Sequence, residues 1–306
     1  MILHFGVETI RPEWEHAVVS VGTFDSVHRG HQDLLHRAVE QAREREWPSI
    51  VVTFDRNPAA VVRPEHVPPS LASLNDNIRG IAQMGISMSV ILEFNAGLSR
   101  MSAQSFFDDI LITRLRAGAL VVGHDFAFGN GRQGTPDWLS ERIETVVVPP
   151  YEVDGKRVSS SHLRQLIADG QVEEFARLRG SAFEIPGVVV QGQRLGRTLG
   201  FPTVNIARST AQITPKDGVY AGYCSCSRGH FPAAIGIGVR PTVGGEGRTI
   251  EAYLLDYPGD SLYGEALSIG LTHYLRGEEK FDSLDALKFQ MEADVRQTAE
   301  LFKRNS

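Results

Sequence analysis

The sequence predicts an α/β domain built on a Rossmann-like parallel sheet, followed by an antiparallel β-barrel domain with one terminal helix. Three observations predict it. In the first half, apolar runs of strand length alternate with helical stripes, the signature of βαβ units. After Gly180 the helical stripes stop, and short β-type runs follow one another between Gly and Pro. The final segment returns to a helical apolar period. The boundary is expected near residue 183, giving domains 1–183 and 184–306. A chain of 306 residues accommodates two domains of ordinary size.

Each element follows from its pattern. Residues 17–21 form a short apolar run. Residues 30–46 read as a helix, with Leu34, Leu35, Ala38, Val39 and Ala42 on one stripe. Residues 49–54 (SIVVTF) read as a buried strand, 74–84 as a helix capped by Ser73, and 88–94 as a strand. A helix over 103–116 behind Ser102, then strands over 119–123 and 143–148, complete the alternation. Parallel sheets of this kind bind ligands in the crevice beyond the carboxyl ends of their strands. In the second half, strands are expected over 187–191, 218–225, 233–239, 249–257 and 266–274. The helix 284–303 can turn Leu287, Met291, Val295 and Phe302 toward the barrel, with Ser283 as N-cap.

Composition narrows the function. The formal net charge is -6, which argues against non-specific nucleic-acid binding, because that requires a basic face to displace counterions. Phosphorylated substrates would need local positive charge and a metal ion. No apolar run is long enough for a membrane span. Residues 1–11 carry charge and no long apolar stretch, so they do not read as a secretory signal. The only cysteines, Cys224 and Cys226, lie two apart in an apparent strand. Their Cα atoms would be roughly 6.5 to 7 Å apart, at the edge of disulfide geometry, and both are expected as reduced thiols. A cytoplasmic location is the expectation.

The first chemical constellation is Gly22 to His31 (GTFDSVHRGH), between the first strand and the first helix. A strand here feeds a turn, and the turn opens a helix whose free N–H groups and dipole attract phosphate. Gly22, Phe24, Asp25 and Gly30 are the candidate ATP- and phosphate-binding residues of that turn, and Gly30 allows close backbone approach. His28 and His31 add donors that can stabilise charge growing on a phosphate.

These residues resemble the HxGH signature of the nucleotidyltransferase superfamily. The fuller string resembles the N-terminal domain of bacterial bifunctional riboflavin kinase/FAD synthetases. Thr53 to Pro58 (TFDRNP) is similar to that family's TFDPHP block, Gly123 to Arg132 to its flavin-side loop, and Val158 to Arg164 (VSSSHLR) to its SSSxxR motif. The resemblance implies adenylyl transfer from ATP to FMN. It implies that Ser159, Ser160, Ser161 and Arg164 close on ATP phosphates, and that Asn57, Asp125, Phe126, Phe128 and Arg132 lie on the flavin side. The FMN phosphate is already ionised at pH 7, so no general base is needed. Alignment and charge stabilisation should carry the reaction. Read alone, the serines also suit a helix N-cap, Phe126 and Phe128 also suit a core, and Arg132 also suits a solvated loop.

The second constellation is a glycine-rich loop, Gly192, Gly196 and Gly200 with Arg197, leading into Phe201 to Asn205 (FPTVN). Such loops bring backbone N–H groups to phosphates. In an extended chain Thr203 and Asn205 point the same way, and two neutral oxygens on one face can hold a hydrated Mg²⁺ already ligated by phosphates. The stretch resembles the riboflavin kinase signature around GFPTxN. Blocks at Asp217 to Tyr220, Ile250 to Asp256 and Leu275 to Phe281 agree with it. By resemblance, Thr203 and Asn205 are the metal-associated pair and Glu251 is the general base on the riboflavin 5′-hydroxyl. Arg197 faces phosphate or is a surface charge, and Arg276 approaches the flavin or holds a loop.

The resulting expectation is a bifunctional enzyme that makes FMN from riboflavin and FAD from FMN, using ATP and Mg²⁺. Riboflavin, FMN and ATP are the expected partners. Weak self-association, and flavin-requiring apoproteins as recipients of the product, are further expectations; nucleic acid and membranes are not. Two positions depart from the family pattern, Ser26 for Gly and Asn57 for His. They motivate a second reading, a riboflavin kinase with a slow or silent first domain. A flavin-binding regulator is a third.

Overall fold

A computed structural model describes residues 1–192, 200–239, 248–259 and 261–303. The chain divides into two compact units, Met1–Ser160 and Ser161–Ser306.

The first unit is built on six parallel strands, β1 (Ile2–Phe5), β2 (Ala17–Val21), β3 (Ser49–Phe54), β4 (Met88–Leu92), β5 (Ala117–Gly123) and β6 (Glu144–Val148). Their order is β1-β4-β3-β2-β5-β6. The chain moves outward from β2 through β3 and β4, then crosses back to β5 on the other side of β2. The strand order therefore reverses between β2 and β5, which is where such sheets open a ligand crevice. Helix Arg29–Glu44 follows β2 and buries Leu34, Leu35, Ala38 and Ala42, the expected stripe. Helix Leu74–Gln83 is capped by Ser73, whose hydroxyl accepts the Asp76 N–H.

Three features differ from the sequence expectation. Strand β1, not anticipated in the charged N-terminal segment, pairs in parallel with β4. The helix expected over 103–116 begins as one α-turn, Ala103–Ser105, and widens into a π-helix, Phe106–Arg114. The wider closure shows at its end, where the Leu115 N–H donates to Ile110 O, five residues back, at 3.0 Å. A two-stranded hairpin, β7 (Glu152–Val153) with β8 (Lys156–Arg157), ends the unit.

The second unit is a closed antiparallel barrel of β9 (Phe183–Val190), β10 (Thr203–Arg208), β11 (Gly218–Cys226), β12 (Gly229–Val239), β13 (Arg248–Leu254) and β14 (Ala266–Arg276). Its order is β10-β13-β12-β11-β14-β9, with β9 pairing back to β10. Closure leaves no free sheet edge. Helices Ser160–Ala168 and Val172–Arg179 precede β9, and the second packs on β14, which places both with this unit. Alternation along the strands sorts the wall: Ile250, Ala252 and Leu254 of β13 are buried, while Glu251 and Tyr253 face outward. Cys224 and Cys226 are free thiols, and burial pushes the Cys224 thiol up to about 12.

Helix Leu284–Lys303 covers β11 and β12. The Ser283 hydroxyl accepts the Ala286 N–H (3.1 Å), so it caps as expected. Leu287, Met291, Val295 and Phe302 are half-buried, and the deepest contacts are polar instead, Asp294 and Thr298.

Candidate active sites

The first site grows from the end of β2. The chain leaves the sheet at Gly22 and turns through Phe24, Ser26 and Val27, which have positive φ values of 47°, 70° and 37°. The Phe24 ring, 1% exposed, belongs to the core, so only its backbone is available to a phosphate. A Cβ at Gly22 would lie 3.1 Å from that ring. Asp25 is 7% exposed, and its carboxylate accepts the N–H groups of Leu71 (3.0 Å) and Ala72 (3.2 Å). The structure thus gives Asp25 a bracing position, its carboxylate turned to the segment just ahead of helix Leu74–Gln83.

His28 closes the turn and caps helix Arg29–Glu44, its Nδ1 accepting the His31 N–H at 3.3 Å. In the neutral ring this places the proton on Nε2. The His28 and His31 rings stack 3.7 Å apart at 16°. Burial pulls His31 down to about 4, so at pH 7 it is neutral and offers an N–H, not a charge. Gly30 makes this stack possible: a Cβ there would press on the His28 ring at 3.3 Å.

The loop after β5 lies on the other side of the same crevice. Asp125 is exposed and pairs with Arg157 at 2.6 Å. Phe126 is half-buried and stacks on Phe128 (5.5 Å, 20°). Phe128 itself is 8% exposed and packs against Phe106 and Trp138. It packs into the core, and of the pair Phe126 keeps the accessible ring. Arg132 is exposed at a φ of 57° and reaches the Asp125 carbonyl at 3.5 Å. Beyond β3, the Asn57 Oδ1 accepts the Ala59 N–H (2.9 Å), leaving its amide N–H₂ outward of that turn. Ser159 and Ser160 end the first unit; Ser161 and the half-buried Arg164 lie on helix Ser160–Ala168, which opens the second.

The second site lies on the outer wall of the barrel. Antiparallel pairing sets Asn205 directly opposite Glu251, and Thr203 opposite Tyr253. The Thr203 hydroxyl donates to Glu251 Oε2 at 3.4 Å. Gly192 lies beside them: a Cβ would come 2.2 Å from the Asn205 amide nitrogen. Gly200 turns with a φ of 89°. Gly196 and Arg197 lie outside the described residues. On the other flank of Glu251, Gly236 pairs with it, and a Cβ there would meet nothing within 4 Å. That open stretch of wall beside a carboxylate leaves room for a flat ligand.

Arg276 is engaged by the terminal helix. Its guanidinium forms a two-pronged pair with Asp294, Nε to Oδ1 at 3.0 Å and Nη2 to Oδ2 at 2.8 Å, and Nη1 donates to Gly277 O. With its nitrogens so engaged it anchors the terminal helix to β14.

Among the described residues no three His, Cys, Asp or Glu cluster to cage a metal. Thr203, Asn205 and Glu251 instead offer hard oxygen donors on one face. That set suits Mg²⁺, which is held by few protein oxygens together with substrate phosphates.

A family model for FAD synthetase matches residues 10–162, and one for riboflavin kinase matches residues 179–302. A bifunctional riboflavin kinase/FMN adenylyltransferase of Pseudomonas fluorescens is 38% identical, covering 95% of this chain and 94% of its own. The Escherichia coli protein of the same name is 35% identical, covering 94% and 93%. The chain belongs to the bifunctional riboflavin kinase/FMN adenylyltransferase family. A member from Bacillus subtilis is 32% identical, covering 96% of this chain and 95% of its own. A solved chain from Streptococcus pneumoniae, described as a macrolide-efflux protein, superposes with a TM-score of 0.90 at 30% identity, covering 98% and 99%. No helix among the described residues of the present chain is long and apolar enough to cross a membrane.

Within this family member, the fold brings His28, Gly30 and His31 into one turn, and Thr203, Asn205 and Glu251 onto one face. Asp25, Phe128 and Arg276 are each held by neighbouring residues, Leu71 and Ala72, Phe106 and Trp138, and Asp294. Two residues with a bearing on the sites escaped the sequence reading. Gly236 had a local signal, a glycine inside a strand. Asn77 had none, because its partner, Ser26, is 51 positions away.

Proposed function

We propose that the chain performs two ATP-dependent reactions at separate sites, phosphorylation of riboflavin to FMN and adenylylation of FMN to FAD. The observation that carries this is the pairing of two unlike chemical surfaces in one chain: stacked histidines at a helix start, and a carboxylate with two neutral oxygen donors on a barrel wall. Each surface suits the nucleophile it would serve.

In the adenylyl step the FMN phosphate brings its own negative charge. An oxygen of that phosphate bonds to the α-phosphorus of ATP, the bond to the β-phosphate oxygen breaks, and pyrophosphate leaves. His28 and His31 donate hydrogen bonds to the phosphoryl oxygens, assisted by the N–H groups of helix Arg29–Glu44, Ser159 to Ser161 and Arg164. Asn57, Phe126, Asp125 and Arg132 border the flavin end.

In the kinase step the riboflavin 5′-hydroxyl is neutral. Glu251 accepts its proton as the oxygen bonds to the γ-phosphorus, and ADP leaves. Thr203 and Asn205 would hold Mg²⁺, which would neutralise phosphate charge. Gly192 and Gly200 border the phosphates. The two activities divide near residue 183, and the protein works in the cytoplasm, handing FAD to flavin-requiring apoproteins.

The curated relatives are named for both activities, so a silent first unit is not favoured. The test is direct. Purified protein is incubated with riboflavin, ATP and Mg²⁺, and the flavins are resolved by chromatography. FMN and FAD together are expected. FMN alone would remove the adenylyl step, and unchanged riboflavin would remove the kinase.

A further inference from the structure

The turn that delivers His28 is held by a segment distant in sequence. Residues 71–81 grip it at three successive positions. The Asp25 carboxylate accepts the Leu71 and Ala72 N–H groups just ahead of helix Leu74–Gln83. The Ser26 N–H donates to Asn77 Oδ1 at 2.7 Å. Val27 packs against Gly80, where a Cβ would come 2.9 Å from Val27 Cγ2. Ser26 and Val27 both have positive φ, a region that L-residues with side chains avoid. Such a conformation persists only where its surroundings over-determine it.

Asn77 is 8% exposed, on the face of its helix turned to this turn. Its acceptor oxygen takes the Ser26 N–H, fixes the peptide plane that leads into Ser26, and so helps to hold the left-handed turn there. Release of that N–H would let residue 26 relax to negative φ and swing the following residues. His28 begins two residues later, and its ring must stack on His31 at 3.7 Å to present its Nε2 proton.

We propose that Asn77 is a positioning residue of the adenylyl-transfer site, locking the left-handed turn at Ser26 and through it the orientation of His28. This rests on the reading of the first unit as an FMN adenylyltransferase. Asn77 touches no reacting atom; it sets where the histidine donors stand before ATP arrives. A glycine at 26 would take the same backbone conformation without help. The hydrogen bond is therefore a compensation for the serine that this chain carries.

The test is a double-mutant cycle of Asn77→Leu and Ser26→Gly in the full chain. FMN-to-FAD and riboflavin-to-FMN conversions are measured separately. Asn77→Leu keeps the branching at Cγ and removes the acceptor. It should lower kcat of the adenylyl step about ten- to a hundredfold, the scale of a misplaced catalytic group, and move KM for FMN less. Riboflavin phosphorylation should be unchanged. In the Ser26→Gly background the same substitution should cost at most about threefold, because the turn no longer needs its brace. Should Asn77→Leu alone fail to fold, the double variant still decides: soluble and active at the Ser26→Gly rate supports the proposal. Equal loss in both backgrounds, or no loss in either, overturns it. A wild-type chain that makes no FAD from FMN would refute instead the adenylyltransferase reading beneath it.

Discussion

Asn205 on β10 stands directly across from Glu251 on β13, so a neutral amide and a carboxylate share the outer wall of the barrel. Thr203 completes the group through its 3.4 Å hydrogen bond to Glu251 Oε2. The pairing makes the kinase chemistry separable from everything in the first unit. Glu251→Gln removes the base while keeping shape and a hydrogen-bonding side chain. It should lower riboflavin phosphorylation by about 10²–10⁴-fold, the usual contribution of a general base. Conversion of supplied FMN to FAD should continue at the wild-type rate, which chromatography of the flavins reads directly.

Gly192 tests the same wall from its neighbour. Gly192→Ala puts a Cβ into the space of the Asn205 amide, 2.2 Å away, and the amide must turn aside. The expected outcome is a several-fold rise in the Mg²⁺ concentration that half-saturates the kinase, with the adenylyl step unaffected. A titration of each activity with Mg²⁺ measures it.

His31 carries a pH signature. Its ring is held near 4 by burial, against an ordinary value of 6.5. Between these values the unfolded chain binds a proton that the folded chain refuses, so stability falls as pH falls from 6.5 toward 4. Above 6.5 both states are neutral and the contribution is flat. His31→Gln should therefore flatten the acid limb of urea-unfolding midpoints in this window, while FAD synthesis at pH 7 drops.

Arg276 and Asp294 form a pair only 17% and 7% exposed at their side chains. Arg276→Ala strands the carboxylate of Asp294, and loss of one partner from a buried pair costs about 3–5 kcal/mol. The Arg276→Met/Asp294→Leu double variant should recover much of this. Denaturant melts of the two variants compare them, and loss of flavin binding without loss of stability would return Arg276 to the flavin.

Phe128 should behave as a core residue. Phe128→Ala opens a hole beside Phe106 and Trp138 and should destabilise the first unit by about 3–5 kcal/mol. Phe126→Ala, at the half-exposed ring stacked on it, should act mainly on KM for FMN. Steady-state kinetics and thermal melts separate the two.

Much of this was legible from local pattern. The apolar stretches at Ala17–Val21 and Ser49–Phe54 became strands because a parallel sheet covered on both faces calls for short unbroken apolar runs, and Leu284–Lys303 became a helix because burial of one face sets a period of 3.6 residues. Short motifs were legible for the same reason: Gly30 beside His28, or Thr203 two residues from Asn205, act within a turn or along one strand. The π-helix at Phe106–Arg114 was not, since its wider turn buries the same kinds of residue as an α-helix.

What tertiary structure alone decided was which side chains of a correct motif reach the site. Phe128 and Arg276 sit in their motifs yet turn to Trp138 and Asp294, and Asp25 turns to Leu71 and Ala72. Asn77 enters from outside any motif to hold Ser26. A sequence specifies local conformation through neighbours a few residues apart. A buried charge or a strained turn is satisfied by whichever donor or acceptor the fold brings near, and that partner is set by packing across the whole unit.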